Sequence, residues 1–269
     1  MGLSAPLLAA LGGVARQYAL GGRLLALGVQ TIRCDGATAA RAIGATRGSC
    51  ALALPKTADH RAIYGALGFA SSTSVDLFPD EGPDELVDLS QPLPASFDGA
   101  FDAFLDAGTL EHVFDAPAAL RGLMGSLAPR GVAIHISPMD GFANHGFYQF
   151  GPKLFARLYA ANGFAECSAW RITLGGDDNA GIVEPIADLD APIAPCETGA
   201  RTLVLFAARR VVAVSAFTAP IDTHIATHAG AHDAALTARP PAEVLDGLRE
   251  LGFAPRPARG GLGRLMPWR

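Results

Sequence analysis

The chain has 269 residues, enough to bury the core of one large α/β domain, alone or with an appendage, and poorly suited to two equal domains. A formal net charge of -5, with 21 lysines and arginines scattered along the length, provides no basic face for a phosphate backbone, so nucleic acid is a poor partner. Cys34, Cys50, Cys167 and Cys196 stand far apart without a C-x-x-C pair, which argues against a disulfide framework or zinc knuckle and for a reducing cytoplasm.

Residues 1–20 are apolar, but no basic residue precedes the run and Gly12, Gly13 and Arg16 interrupt it, so residues 1–22 read as a helical segment packed on the domain. Half of the residues are hydrophobic, yet much of that count is dispersed alanine, and no membrane partner is expected. Residues 23–28 form a first buried strand running into Gly28, and residues 29–57 read as irregular. Helical spacing over 58–67 stops at Gly68. Strands are expected at 71–77, with Asp76 near the end, and at 85–89, which carries Asp88. The next strand, 101–105, precedes a helix at 117–127 that opens on Pro117. Residues 131–137 give a strand, 152–162 a helix, and 166–173 and 202–208 two more strands. This alternation predicts an α/β fold over residues 23–211: a doubly wound, mostly parallel, seven-stranded Rossmann-like sheet with helices on both faces.

Residues 174–200, rich in Gly, Asp and Pro, are too long for an ordinary connection and read as a lid or a plain surface excursion. Residues 212–269 form a C-terminal extension with one more helix at 242–251 and a loosely ordered end at 256–269. His224, His228 and His232 within it would share one side of a helix. Pro220 and Gly230 weaken that helix and no carboxylate or thiol is suitably spaced, so a solvated loop is the better reading and no metal is expected.

The stretch from Phe101 to Asp115, FDAFLDAGTLEHVFD, carries most of the functional information. Ligands of open α/β sheets bind beyond the carboxyl ends of the strands, so Asp106 and the turn from Gly108 to His112 are expected to face a pocket. The alternative is that Asp106 caps the turn.

The order of elements from about residue 23 to 209 resembles the class I S-adenosylmethionine-dependent methyltransferases. Within it, 101–115 looks like that superfamily's fourth-strand motif, an aspartate-ended strand followed by Leu-Glu-His-Val. Asn144-His145-Gly146-Phe147-Tyr148-Gln149-Phe150, followed by Pro152, Leu154 and Phe155, is similar to a segment of a methyltransferase-like subgroup of bacterial proteins. One departure stands out: where the superfamily has Gly-x-Gly-x-Gly, this chain has Gly28-Val29-Gln30. Either Gln30 supplies the polar contact a bare backbone would make, or the loop is degenerate and cofactor binding is lost.

The resemblance implies S-adenosyl-L-methionine as cofactor. It places Gly28, Gln30 and Gly108 against its methionine part, Asp76 on the ribose hydroxyls, Asp88 and Leu89 at the adenine, and Asp106 near the sulfonium. His145 is the preferred acid-base residue, with His112 as second candidate and Tyr148 beside them; Glu111, Asn144 and Gln149 are candidate acceptor contacts. Glu111 and His112 could instead build the turn, and the aromatic run from Phe147 to Phe150 could be a structural plug. The expected activity is methyl transfer to a small-molecule or glycan-type acceptor. Cyclisation or elimination releasing methylthioadenosine, and a non-catalytic interaction module, are the competing readings. A nicotinamide dehydrogenase is disfavoured because no Gly-x-Gly-x-x-Gly turn follows the first strand.

Overall fold

Apolar runs ended by small or acidic residues form the central strands, and segments with apolar stripes form the helices, three of the described ones capped by an aspartate. The computed structural model describes residues 2–48, 52–177, 179–197, 199–212, 214, 216–222 and 240–254. His224, His228 and His232 and the end at 256–269 lie outside the described residues. In chain order the elements are β1 (Gly2–Leu3), α1 (Ala5–Tyr18), β2 (Arg23–Leu27), β3 (Thr31–Ile32), α2 (Gly36–Arg47), α3 (His60–Leu67), β4 (Ser71–Asp76) and β5 (Glu85–Leu86). They continue with β6 (Phe101–Ala107), α4 (Ala116–Ser126), β7 (Leu127–Asp140), α5 (Pro152–Ala161), β8 (Phe164–Leu174), β9 (Gly181–Pro185), β10 (Arg201–Arg210) and α6 (Ala242–Glu250).

Eight strands make one sheet in the order β5-β4-β2-β6-β7-β10-β8-β9, and β1 pairs separately with β3. The strands from β5 to β7 are mutually parallel, whereas β10 runs against both β7 and β8, and β9 against β8. The eighth strand is β9, which lies within the 174–200 excursion and extends the sheet edge beside β8. α1, α2, α3 and α6 pack on one sheet face through residues such as Leu11, Ala39, Ile63 and Val244, against Leu24, Leu105 and Ile134. α4 and α5 cover the other face, where Leu120 and Phe155 meet Leu25, Phe104 and Phe206. Both faces are therefore buried, as a doubly wound sheet requires.

Residues 29–57 are not irregular: α2 occupies much of them. Its N-terminus is capped by Asp35, whose carboxylate accepts the Thr38 N–H at 2.8 Å, and it ends at Gly48 in the left-handed region. Its buried face, Gly36, Ala39, Ala42, Ile43 and Thr46, is mostly of small residues and packs against α1. Among the described residues no helix is long and apolar enough to cross a membrane.

Candidate active site

Strand order reverses between β2 and β6, since the chain steps outward through β4 and β5 on one side and through β7 on the other. A cleft of about 730 Å³ opens beyond the carboxyl ends of β2, β4 and β6, the place where such a reversal leaves a crevice. Gly28, Gln30, Asp76, Asp88, Leu89, Gly108 and His112 line it. Gly28 turns the chain at the end of β2 with φ +73°. A Cβ there would stand 3.2 Å from Thr109 Oγ1, so the turn accepts glycine readily and larger residues only with strain. Thr109 in turn donates its hydroxyl to the Leu27 carbonyl at 3.0 Å and ties the ends of β2 and β6 together.

The charged groups of this cleft are the carboxylates of Asp76, Glu81 and Asp88 and the guanidinium of Arg33. Gln30 is buried and donates its amide to Leu27 O at 3.1 Å, while its Oε1 is buried with no hydrogen-bond partner. Asp76 Oδ1 accepts the Phe78 N–H at 3.2 Å, and Asp88 Oδ1 accepts the Ser90 N–H at 2.9 Å. Each thus holds its own turn with one oxygen, and its second oxygen is available to a ligand. Phe78, Phe114 and Phe147 also line the cleft and are 61%, 73% and 66% exposed, an apolar rim the sequence reading did not find. Phe114 and Phe147 meet edge to face with centroids 5.7 Å apart.

Asp106 is not in the cleft wall, contrary to expectation. It is fully buried, with Oδ1 accepting the N–H groups of Thr109 at 3.2 Å and Leu110 at 3.1 Å. Its Oδ2 pairs with His135 Nδ1 at 2.8 Å, and His135 Nε2 lies 2.6 Å from the Tyr159 hydroxyl. The carboxylate therefore faces down to the sheet and braces the turn from below, as the capping alternative describes. Burial pushes the Tyr159 hydroxyl well above its ordinary pKa, and the charge of Asp106 adds to this.

Glu111 is its counterpart within the turn itself. The 3₁₀ turn Leu110–His112 directs the Glu111 side chain inward, where it is fully buried, and neither carboxylate oxygen has a hydrogen-bond partner. Burial, then the negative charge of Asp106, raises its pKa to about 8. Its Oε1 lies 3.9 Å from His112 Nε2 and 3.9 Å from His145 Nε2. The two imidazoles stand edge to face at 5.2 Å, both about half exposed. Burial, then the positive charge of His145, lowers the pKa of His112.

His145 reaches this cluster because the loop after β7 is docked on the turn. The Glu111 carbonyl accepts the N–H groups of Phe147 at 2.7 Å and Tyr148 at 3.2 Å. Gly146, with φ +76°, allows that approach, since a Cβ there would lie 2.8 Å from the same carbonyl. The other residues expected here serve the loop. The Tyr148 hydroxyl donates to Phe114 O at 2.7 Å, Gln149 Oε1 accepts the Phe142 N–H at 3.3 Å, and Asn144 is an exposed turn residue with φ +67°. None of the three lines the main cleft or its neighbour. That neighbour, of about 380 Å³, is lined by His145, Phe142 and Arg201, and shares Arg33 with the main cleft. Glu111, His112 and His145 therefore stand where the two clefts approach each other.

Fold and site together define an α/β protein with a ligand cleft at a topological switch point. No family model and no curated protein matches the chain. Solved structures similar to it include an S-adenosylmethionine-dependent methyltransferase of Thermotoga maritima, described as a possible histamine N-methyltransferase. It is 16% identical over 76% of this chain and 92% of its own, with a TM-score of 0.39. A putative methyltransferase of Bacillus halodurans is 14% identical, covering 76% of this chain and 99% of its own at a TM-score of 0.43. The N-methyltransferase NodS of Bradyrhizobium japonicum, solved with S-adenosyl-L-homocysteine, is 14% identical over 75% of this chain and 85% of its own, at 0.42.

Proposed function

We propose that the chain is an S-adenosylmethionine-dependent methyltransferase that modifies a small-molecule acceptor, glycan-type compounds included. The observation that carries this reading is the cleft at the switch point, with the carboxylates of Asp76 and Asp88 along it and the buried, unpaired Oε1 of Gln30, another of its lining residues. Acceptors suit a ligand rich in donors, and this cofactor offers ribose hydroxyls, an adenine amino group and an ammonium. When bound it supplies a methyl group made electrophilic by a sulfonium.

Asp76 would accept the ribose hydroxyls and Asp88 the adenine amino group, with Leu89 against the ring. Gln30 Oε1 would take the ammonium, a contact that replaces the missing glycines of the first loop. Phe78, Phe114 and Phe147 would exclude water from the reacting groups. The reacting heteroatom of the acceptor would meet His112 and His145 beside Glu111. Alignment of two reactants is worth roughly 7–11 kcal/mol, whereas a general base typically supplies about 10²–10⁴-fold. The rim and the docked loop therefore matter more to this reading than any one imidazole.

Calorimetric titration with S-adenosylmethionine tests it. Saturable heat and thermal stabilisation are expected; neither at millimolar cofactor would overturn the reading in favour of a non-catalytic module. If binding is found, S-adenosylhomocysteine formed with an acceptor supports methyl transfer. Methylthioadenosine released without any acceptor supports cyclisation or elimination instead.

A further inference from the structure

We propose that Glu111, His112 and His145 form a binding site for one divalent first-row transition metal ion at the junction of the two clefts. Each residue offers one ligand atom, and the three atoms lie within 4.8 Å of one another. The independent sign is Glu111 itself. Its carboxylate is fully buried, aims at both imidazoles, and leaves both oxygens without a hydrogen-bond partner. A buried, unpartnered carboxyl costs about 1–3 kcal/mol or more, so a fold that keeps one has either wasted it or reserved it for something that binds there.

The donor set defines the guest. Two imidazole nitrogens and one carboxylate oxygen suit zinc, cobalt, manganese or iron in the divalent state, whereas calcium and magnesium favour oxygen ligands throughout. Three protein ligands leave coordination positions open, the pattern of reactive rather than structural metal sites. Bonds of about 2.1 Å to a tetrahedral ion put ligand atoms about 3.4 Å apart. The 3.9 Å separations between Glu111 Oε1 and the two imidazoles must shorten by roughly half an ångström. The histidines, about half exposed, are free to turn inward, while the buried carboxylate holds still. Backbone geometry keeps them near: the 3₁₀ turn fixes Glu111 and His112, and the two bonds into Glu111 O hold the loop carrying His145.

An ion here would touch both cavities, because His112 lines the larger and His145 the smaller. Its open positions suit a hydroxyl, carboxylate or amine of a small molecule. With the ion in place the imidazoles are ligands and not proton acceptors. The site stands apart from the cofactor reading, because metal binding is measured without cofactor.

The test uses the full chain stripped of metal by chelator and titrated with cobalt(II), whose visible absorption reports the ligand set. One equivalent is expected to bind with an imidazole-type spectrum. His145→Ala, an exposed position that should leave folding intact, and Glu111→Gln should each weaken it at least about tenfold. Replacing His224, His228 and His232 together with alanine should leave that equivalent in place. No stoichiometric binding would overturn the proposal. So would wild-type affinity in His145→Ala, or loss of the equivalent only in the triple variant.

Discussion

Asp106 and Glu111 lie at one turn and are both fully buried, yet their surroundings are opposite. Asp106 receives two backbone N–H groups and pairs with His135, and so has a partner at each oxygen. Glu111 has none within hydrogen-bonding distance and two imidazoles at 3.9 Å. The difference separates two uses of a buried carboxylate. With both oxygens engaged by the protein, the group adds rigidity and has little left for a ligand. With none engaged, it costs stability and is retained only where something else completes it.

The largest effect should come from Asp106→Ala. It strands the Thr109 and Leu110 N–H groups and the His135 ring, and breaking a buried pair of this kind costs about 3–5 kcal/mol. Urea unfolding measures it, and cofactor affinity of the folded fraction should stay close to wild type. A loss of affinity with little loss of stability would return Asp106 to the cofactor site and break the contrast.

Glu111→Gln should do the reverse. Replacing a carboxyl that burial keeps largely protonated near neutral pH with an isosteric amide should leave the unfolding free energy within about 1 kcal/mol, while turnover falls about 10²-fold. Destabilisation comparable to that of Asp106→Ala would mean Glu111 is also structural. Gly146→Ala should fall between the two in character: the added Cβ, 2.8 Å from Glu111 O at a φ of +76°, costs about 1–3 kcal/mol. It should also lift the loop and reduce turnover through misplacement of His145. Wild-type stability and rate together would show that the loop is not seated on the turn as described.

The sequence made the strand–turn–helix from Phe101 to Asp115 legible because a short apolar run, a glycine turn and a proline-led helix each follow local rules. It did not show which way Asp106 points. β6 is buried on both faces, so no alternation marks a side, and Asp106 shares a face with Phe104 rather than opening to the cleft. A signal existed in pairs: Asp106 in β6 and His135 in β7 are polar intrusions in otherwise apolar runs, and they are register partners. α2 was missed because its core face is made mostly of small residues, with Ile43 as its one large apolar side chain and so no period to reveal, although Asp35 and Gly48 were legible caps. The cluster of Glu111 with His145 joins a turn and a distant loop, a juxtaposition that only the tertiary fold provides.

Asp84 offers the mildest and cleanest variation on a satisfied carboxylate, this time near the surface. Partial burial would raise its pKa, but hydrogen bonds from Arg61 and from the Ser74 N–H and hydroxyl, with the Arg61 charge, lower it to about 2. A carboxyl held below its unfolded value contributes stability above the unfolded pKa of 3.8 and loses it as the pH falls toward 2. About a third of the side chain is exposed, so solvent screening reduces the contribution to about 1 kcal/mol. The gap in thermal midpoint between wild type and Asp84→Asn should therefore be full above pH ~4 and shrink toward pH ~2. A gap independent of pH in that window would show that the hydrogen bonds to Ser74 matter through shape alone, and that partner count does not by itself rank the buried acids of this fold.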